Sequence, residues 1–269
     1  MDDATRRRGL GVLAWRDTDA LAANLAGYVA VGLPDLFAER VVFFREVTDE
    51  KRAVAARHGF RAEGASGNLG VLGGRRAMAE TLSTDLVLLL EDDLPLVEGA
   101  DEVRRQVALA TDHLLSGRAQ VVRLRSRREP GAAFGLPDAY RRYHGEGALP
   151  ALRRTLRPGK AKRLVGGAPY VRDKADRAHR GLIDRADDGT YLVSAACLPW
   201  TNQAVMLRRD VFLERVAAHA GAGSGRRRAD GRLGTGKAWN AHRWQRSGWT
   251  VAVPEGLFTH GHLPGHGGG

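Results

Sequence analysis

Three consecutive carboxylates, Glu91, Asp92 and Asp93, close the apolar run in DLVLLLEDDLPLV (residues 85–97). Adjacent like charges repel, so one of two environments must hold them: water around an exposed turn, or a cation. Carboxylate oxygens are hard ligands suited to Mg²⁺ or Mn²⁺, ions that often bind one or two carboxylates and complete their shell with substrate phosphates. An ion there would bridge a diphosphate and neutralise charge on a departing nucleoside diphosphate. Upstream, GASGNLGVLGGRRAMAETL (64–82) joins a Gly-rich loop to a helix carrying Arg75 and Arg76. Glycines permit close backbone approach and a helix N-terminus attracts phosphate, although the stretch reads equally well as a loop before an amphipathic helix. It is not a GxGxxG pattern, and no GxxxxGK followed by Ser or Thr occurs, which counts against dinucleotide and P-loop sites.

The elements that must position these residues alternate. Strands are expected at 9–15, 39–47, 60–63 and 86–90, with helices at 19–31, 49–58, 72–82 and 102–115 between and after them. The run 86–90 is continuously apolar rather than alternating, as a central parallel strand covered on both faces should be. The pattern predicts an α/β fold with a doubly wound, mostly parallel sheet, in which ligands gather beyond the carboxyl ends of the strands. Glu91–Asp93 sit at such an end. A further strand is expected at 119–127. Residues 128–190 lose clear periodicity and read as a partly ordered insertion around a short helix. One or two strands and a helix follow at 191–220, then a Gly/Arg-rich loop at 221–236 and a strand within TVAVP (250–254). The division is 1–127 as a nucleotide-binding-like half and 128–269 as a half that shapes a substrate site, within one domain.

Composition bounds the partners. The 269 residues carry a formal net charge of +11 and 43% hydrophobic residues. That charge favours anionic partners: nucleotides, nucleic acid or an acidic membrane surface. The basic clusters lack interleaved aromatics, so no stacking surface for single strands is indicated. Cys197 is the sole cysteine, which excludes an intrachain disulfide and suits a reducing compartment. No signal-peptide-like or membrane-spanning apolar run is present. A cytoplasmic protein is expected, with peripheral attachment to an anionic membrane as an option and no nucleic acid partner.

The order Asn68-Leu-Gly, Arg75/Arg76, then LVLLLEDDLPLV resembles GT-A glycosyltransferases, with Glu-Asp-Asp standing for their Asp-x-Asp motif. The resemblance implies a Rossmann-like GT-A fold, Asp93 on a Mn²⁺ or Mg²⁺ ion, and Glu91 and Asp92 facing a nucleotide-sugar. It also implies donor positioning by Asn68 and Arg75. The segment WTNQAVMLRRDVF (200–212) resembles the acceptor-side lining, which points to Trp200 and Asn202. WNAHRWQRSGWTVAVPEGLFTHGHL (239–263) resembles the tail that returns a histidine to the metal, making His260 the expected second ligand and His262 the alternate. A carboxylate after the second strand would bond the base, Glu46 first and Asp49 second. Trp15, ending the first strand, is placed to stack on the base, though a tryptophan there also suits the core.

An inverting transfer needs an Asp or Glu carboxylate, acting as a base, to deprotonate the acceptor hydroxyl. Asp230 is the only carboxylate between Glu214 and Glu255, and position 237 is Lys where an acid would be sought. The expected activity is a metal-dependent transfer of a hexosyl or N-acetylhexosaminyl group from a nucleoside-diphosphate sugar, UDP-sugar foremost, to a glycan or lipid-linked hydroxyl. The alternatives are a sugar-phosphate nucleotidyltransferase, whose Gly-rich loop LAWRDTDAL lacks, and a non-catalytic nucleic-acid-binding protein resting on charge alone.

Overall fold

The apolar run behind the acidic triplet forms β4 (Leu86–Glu91), whose side chains divide between two cores. Leu86, Leu88 and Leu90 pack into one, Val87 and Leu89 into the other, and all five are fully buried. Successive strand residues point to opposite faces, so burial of both faces requires the continuous apolar sequence observed. Burying each such side chain contributes about 1.5–3 kcal/mol. The computed structural model describes residues 3–15, 18–65, 67, 69–132, 134–218 and 243–261.

Beside β4 lies β1 (Arg8–Ala14), then β2 (Glu39–Phe44) and β3 (Arg61–Gly64), all parallel. On the other side the sheet continues through residues far apart in sequence. β5 (Val121–Arg123), β6 (Ile183–Arg185), β7 (Tyr191–Ser194), β8 (Val205–Arg208) and β9 (Thr250–Val253) complete the nine-stranded order β3-β2-β1-β4-β8-β5-β9-β7-β6. β8 runs antiparallel to β4 and β5, and β7 antiparallel to β9 and β6, so the other strands share one direction. One sheet thus spans both halves of the chain.

Helices cover each face. The Ala100–Leu115 helix buries Val103, Val107, Ala110 and Leu114 at helical spacing, and Thr18–Ala30 buries Leu21, Leu25 and Tyr28. The Gly70–Glu80 helix lies on the opposite face and buries Gly74, Arg75, Met78 and Ala79. A Cβ on Gly74 would stand 2.9 Å from Leu13 Cδ1, so the missing side chain lets this helix approach β1 closely.

The sheet follows the sequence expectation. Two segments differ from it. Only 121–123 of the expected strand 119–127 joins the ladder, and the chain then bends toward the tail, where Leu124 O accepts from Leu257 N (2.7 Å) and Phe258 N (3.1 Å). The insertion 128–190 is largely helical, with helices Leu136–His144, Ala148–Leu156 and Pro158–Leu164. Leu136, Tyr140 and Tyr143 give the first of these a buried stripe, which the surrounding Arg, Gly and Pro disguise in the sequence.

Candidate functional site

The parallel strands end together, and their C-terminal edge carries the acidic triplet. Each carboxylate meets a different environment. Asp92 is tied to β1: its Oδ2 accepts from Trp15 N at 2.7 Å, and its own N donates to Leu13 O at 3.1 Å. Asn24 Nδ2 holds the Asp92 carbonyl at 2.6 Å. Burial, outweighing the Trp15 hydrogen bond, lifts the Asp92 carboxyl to about 6.

Glu91 faces the other way, toward Arg75, with Nη2 and Oε1 3.4 Å apart. The Arg75 side chain has no solvent exposure, and none of its three guanidinium nitrogens has a hydrogen-bond partner among the described residues. Burial lowers the affinity of Arg75 for its proton, opposed by Glu91 and then Asp93, yet a guanidinium keeps its charge. Burial likewise raises the Glu91 carboxyl, opposed by Arg75. Arg76, one residue on, is exposed and pairs with Glu80 at 2.9 Å.

Asp93 meets the tail. Its Oδ2 lies 3.0 Å from His260 Nε2, and this bond raises the pKa of the imidazole against the cost of burial. The Asp93 side chain is 39% exposed, yet its Oδ1 points inward, buried and without a hydrogen-bond partner among the described residues. The backbone fixes the meeting: Gly261 N donates to Asp93 O (3.2 Å), Thr259 N to Pro95 O (3.0 Å) and Ala132 N to His260 O (3.1 Å). The tail is turned into this course at Gly256, whose φ is 86° and where a Cβ would lie 2.1 Å from Arg125 O. Buried Gln106 clamps that turn from both sides, accepting from Gly256 N (2.7 Å) and donating to Gly256 O (3.1 Å).

Beyond Glu91 opens a cleft of about 400 Å³, lined on its far side by Pro199, Trp200, Thr201, Asn202 and Gln203 and elsewhere by Arg123, Arg125, Phe134 and Leu136. Trp200 is nearly buried: its Nε1 donates to Asn202 Oδ1 at 2.9 Å, and its ring stands edge-on to Trp244 at 5.1 Å. Arg125 is held by Gln203 Oε1 and Pro130 O (2.6 Å), with its guanidinium 4.2 Å over the Phe134 ring. Burial lowers its pKa to about 10. Ala204, next to the lining segment, has φ 45°, an uncommon value for a residue with a side chain.

The structure therefore brings Glu91, Asp92, Asp93 and His260 together, with Arg75 behind them and Trp200 and Asn202 across the cleft. Trp15 lies beside Phe44, Lys51 and Asp92 at the ends of β1 and β2, with the Arg45 guanidinium 5.9 Å over its ring. The Glu46 side chain is exposed, and its carbonyl accepts from Lys51 Nζ at 2.9 Å. Asp49 begins the helix after β2. Asn68, Asp230, Lys237 and His262 lie outside the described residues. Sequence reasoning missed Arg123, Arg125 and Gln106. The alternation of Arg123 and Arg125 with Val122 and Leu124 is a signal available from the sequence, since residues two apart in an extended segment point the same way.

Of the three carboxylates, Glu91 faces the fully buried guanidinium and Asp93 the imidazole, while Asp92 has only hydrogen-bonding partners, so the tip is rich in negative charge. Among the described residues no three His, Cys, Asp or Glu side chains form a metal cage. The orphaned Asp93 Oδ1 and the adjacent His260 fit two protein ligands for an ion whose remaining positions go to substrate oxygens and water.

No family model matches the sequence, and no curated protein matches it. Solved structures do match in shape. Glucosyl-3-phosphoglycerate synthase from Mycobacterium tuberculosis, in complex with Mn²⁺, UDP and phosphoglyceric acid, aligns at TM-score 0.51 and 15% identity, over 97% of this chain and 72% of that one. S. aureus TarS 1–349 in complex with UDP aligns at 0.50 and 9% identity, over 96% and 61%. A mycobacterial protein aligns at 0.50 and 14%, over 97% and 69%. The chain thus spans about 60% of the TarS structure's length. Its fold is that of the GT-A glycosyltransferases.

Proposed function

We propose that this chain is a metal-dependent glycosyltransferase moving a sugar from a nucleoside-diphosphate donor to a hydroxyl acceptor. The observation that carries the reading is the meeting of Asp93, just past the end of β4, with His260 from the tail, 3.0 Å apart, two residues on from Glu91, which lines an open cleft. Two structures of this fold are described as complexes with UDP and one of these also with Mn²⁺, which supports a UDP-sugar donor and a divalent ion.

Asp93 and His260 hold the ion. The imidazole favours Mn²⁺ over Mg²⁺, which takes oxygen ligands. When bound, the ion neutralises the charge that develops on the leaving diphosphate. Asp92, locked to Trp15 N, faces the nucleoside with Trp15, and Asn68 and Glu46 complete that side. Glu91 faces the transferred hexosyl or N-acetylhexosaminyl group. Arg75, too deeply buried to touch the diphosphate, keeps Glu91 in place and acts through it. Trp200 and Asn202 bound the acceptor cleft, where buried Arg123 and Arg125 favour an anionic glycan or lipid-linked acceptor. Asp230 is the proposed base that removes the acceptor proton. On this reading residues 1–127 serve the donor and 128–269 the acceptor. Buried, reduced Cys197 suits a cytoplasmic setting.

Thermal-shift screening of nucleoside diphosphates and their sugars, with and without Mn²⁺, tests the reading. A ligand at 100 times its Kd stabilises the native state by about 2.7 kcal/mol. UDP or a UDP-sugar is expected to raise Tm only with Mn²⁺. Absence of a shift with every nucleoside diphosphate, with or without the ion, would refute the assignment.

A further inference from the structure

The Ala148–Leu156 helix contributes no buried residue, although it carries three leucines. Leu149, Leu152 and Leu156 are 66%, 53% and 70% exposed. Their i, i+3, i+7 spacing places them in one stripe. Among the described residues the other large exposed apolar side chains, Val29, Leu69, Val71 and Leu115, form no such row. Isolated apolar residues on a surface are ordinary; a contiguous stripe is not.

Two hydrogen bonds set the orientation of this helix. Arg154 Nη1 donates to Tyr143 O at 2.7 Å and Arg153 Nη1 to Arg142 O at 3.2 Å, fastening it to the C-terminal turn of the Leu136–His144 helix. Arg154 lies opposite the leucines on the helical wheel, so its anchor directs the stripe outward. Arg153, Arg157, Lys160, Lys162 and Arg163 flank it, all exposed, and no Asp or Glu occurs from residue 147 through 163.

We propose that this helix is a docking surface for an anionic lipid bilayer, its leucines entering the headgroup boundary while the flanking Arg and Lys side chains meet lipid phosphates. An apolar stripe bordered by basic residues is the pattern of helices that lie in a membrane interface, and anionic lipid attracts the basic flank. Charge argues against a second copy of the chain, since two-fold pairing through the stripe would press identical basic clusters together. The leucines argue against nucleic acid, whose phosphates would be set against them. Leu136, the first residue of the supporting helix, lines the cleft, and the opposite end of that helix anchors the docking helix. The proposal is independent of the catalytic reading.

The test is co-sedimentation of the full chain with phosphatidylcholine vesicles, alone or mixed with phosphatidylglycerol. The wild type is expected to pellet with the mixed vesicles and weakly or not at all with pure phosphatidylcholine. The variant Leu149→Ser/Leu152→Ser/Leu156→Ser should bind mixed vesicles at least about tenfold more weakly, with its melting temperature preserved because the side chains are exposed. Arg157→Glu/Lys160→Glu/Lys162→Glu, which keeps the leucines, should lose the preference for phosphatidylglycerol. Wild type that stays in the supernatant, or a leucine variant that binds as tightly as wild type, would overturn the proposal. So would a wild-type dimer in sedimentation velocity that the leucine variant abolishes, which would assign the stripe to a second copy.

Discussion

The acidic tip of β4 and the basic Ala148–Leu156 helix are both crowded with like charge, yet they handle it in opposite ways. At the tip the carboxylates are partly withdrawn from water and each is given a partner: fully buried Arg75 for Glu91, the Trp15 N–H for Asp92, His260 for Asp93. On the helix the charges stand in water, and the leucines between them are exposed as well. Burial makes the first group sensitive to every neighbour, because a desolvated charge without a partner is costly. Solvent screening makes the second tolerant of almost any single change. The number of charges is similar in kind; what separates the two regions is access to water.

Four changes test that contrast, from the largest expected effect to the smallest. Asp93→Asn keeps the shape of the side chain and removes its charge, so Mn²⁺-dependent donor turnover should fall about 10³-fold in a steady-state assay. Arg75→Met leaves Glu91 buried without its cation and should cost about 3 kcal/mol in urea unfolding, while adding Glu91→Leu should recover part of the loss. A double variant no more stable than Arg75→Met would show that the pair is not coupled.

The third change concerns pH. His179, half-buried in the insertion, donates to or accepts from Tyr140 Oη at 2.9 Å. Burial, then the charges of His144 and Arg172, pull its pKa down from 6.5 to about 4. Between those values the unfolded chain takes up a proton that the folded chain refuses. The contribution of His179 is therefore present above pH 6.5 and lost as pH falls toward about 4. Asp92 opposes it: with its pKa raised from 3.8 to about 6, it weakens the fold as pH rises through that window. Subtracting the stability profile of His179→Asn from that of wild type isolates the histidine, and the difference should shrink as pH falls. A flat difference would remove His179 from this account. Last, Arg157→Gln on the exposed basic face should move stability by no more than about 0.5 kcal/mol. A loss comparable to that of Arg75→Met would break the contrast.

The sequence made some of this legible because the physics was local. Continuous burial of 86–90 follows from its apolar run, and the placement of Glu91–Asp93 follows from the end of that strand. The placement of His260 beside Asp93 was anticipated through a resemblance to a tail motif, and that of Trp200 and Asn202 at the cleft through the resemblance of segment 200–212. Other features depend on distance or on phase. Arg75 and Arg76 are identical neighbours, and the phase of the helix, which buries Arg75 with Met78 and Ala79, decides which one is buried. Gln106 and Gly256 are joined across 150 positions by a clamp that no local pattern announces. The reversed strand β8 enters the sheet between β4 and β5 although it follows both in the chain. The helices of 136–164 were hidden by Arg, Gly and Pro, since their buried stripes are short and one of them buries nothing.

The central claim is that Asp93 and His260 share an ion with a nucleoside diphosphate. Calorimetric titration of UDP into wild type with Mn²⁺, into wild type without it, and into Asp93→Asn with it tests that claim directly. The account predicts tight binding in the first case and affinity at least about tenfold weaker in the other two. Equal UDP affinity in all three would contradict it.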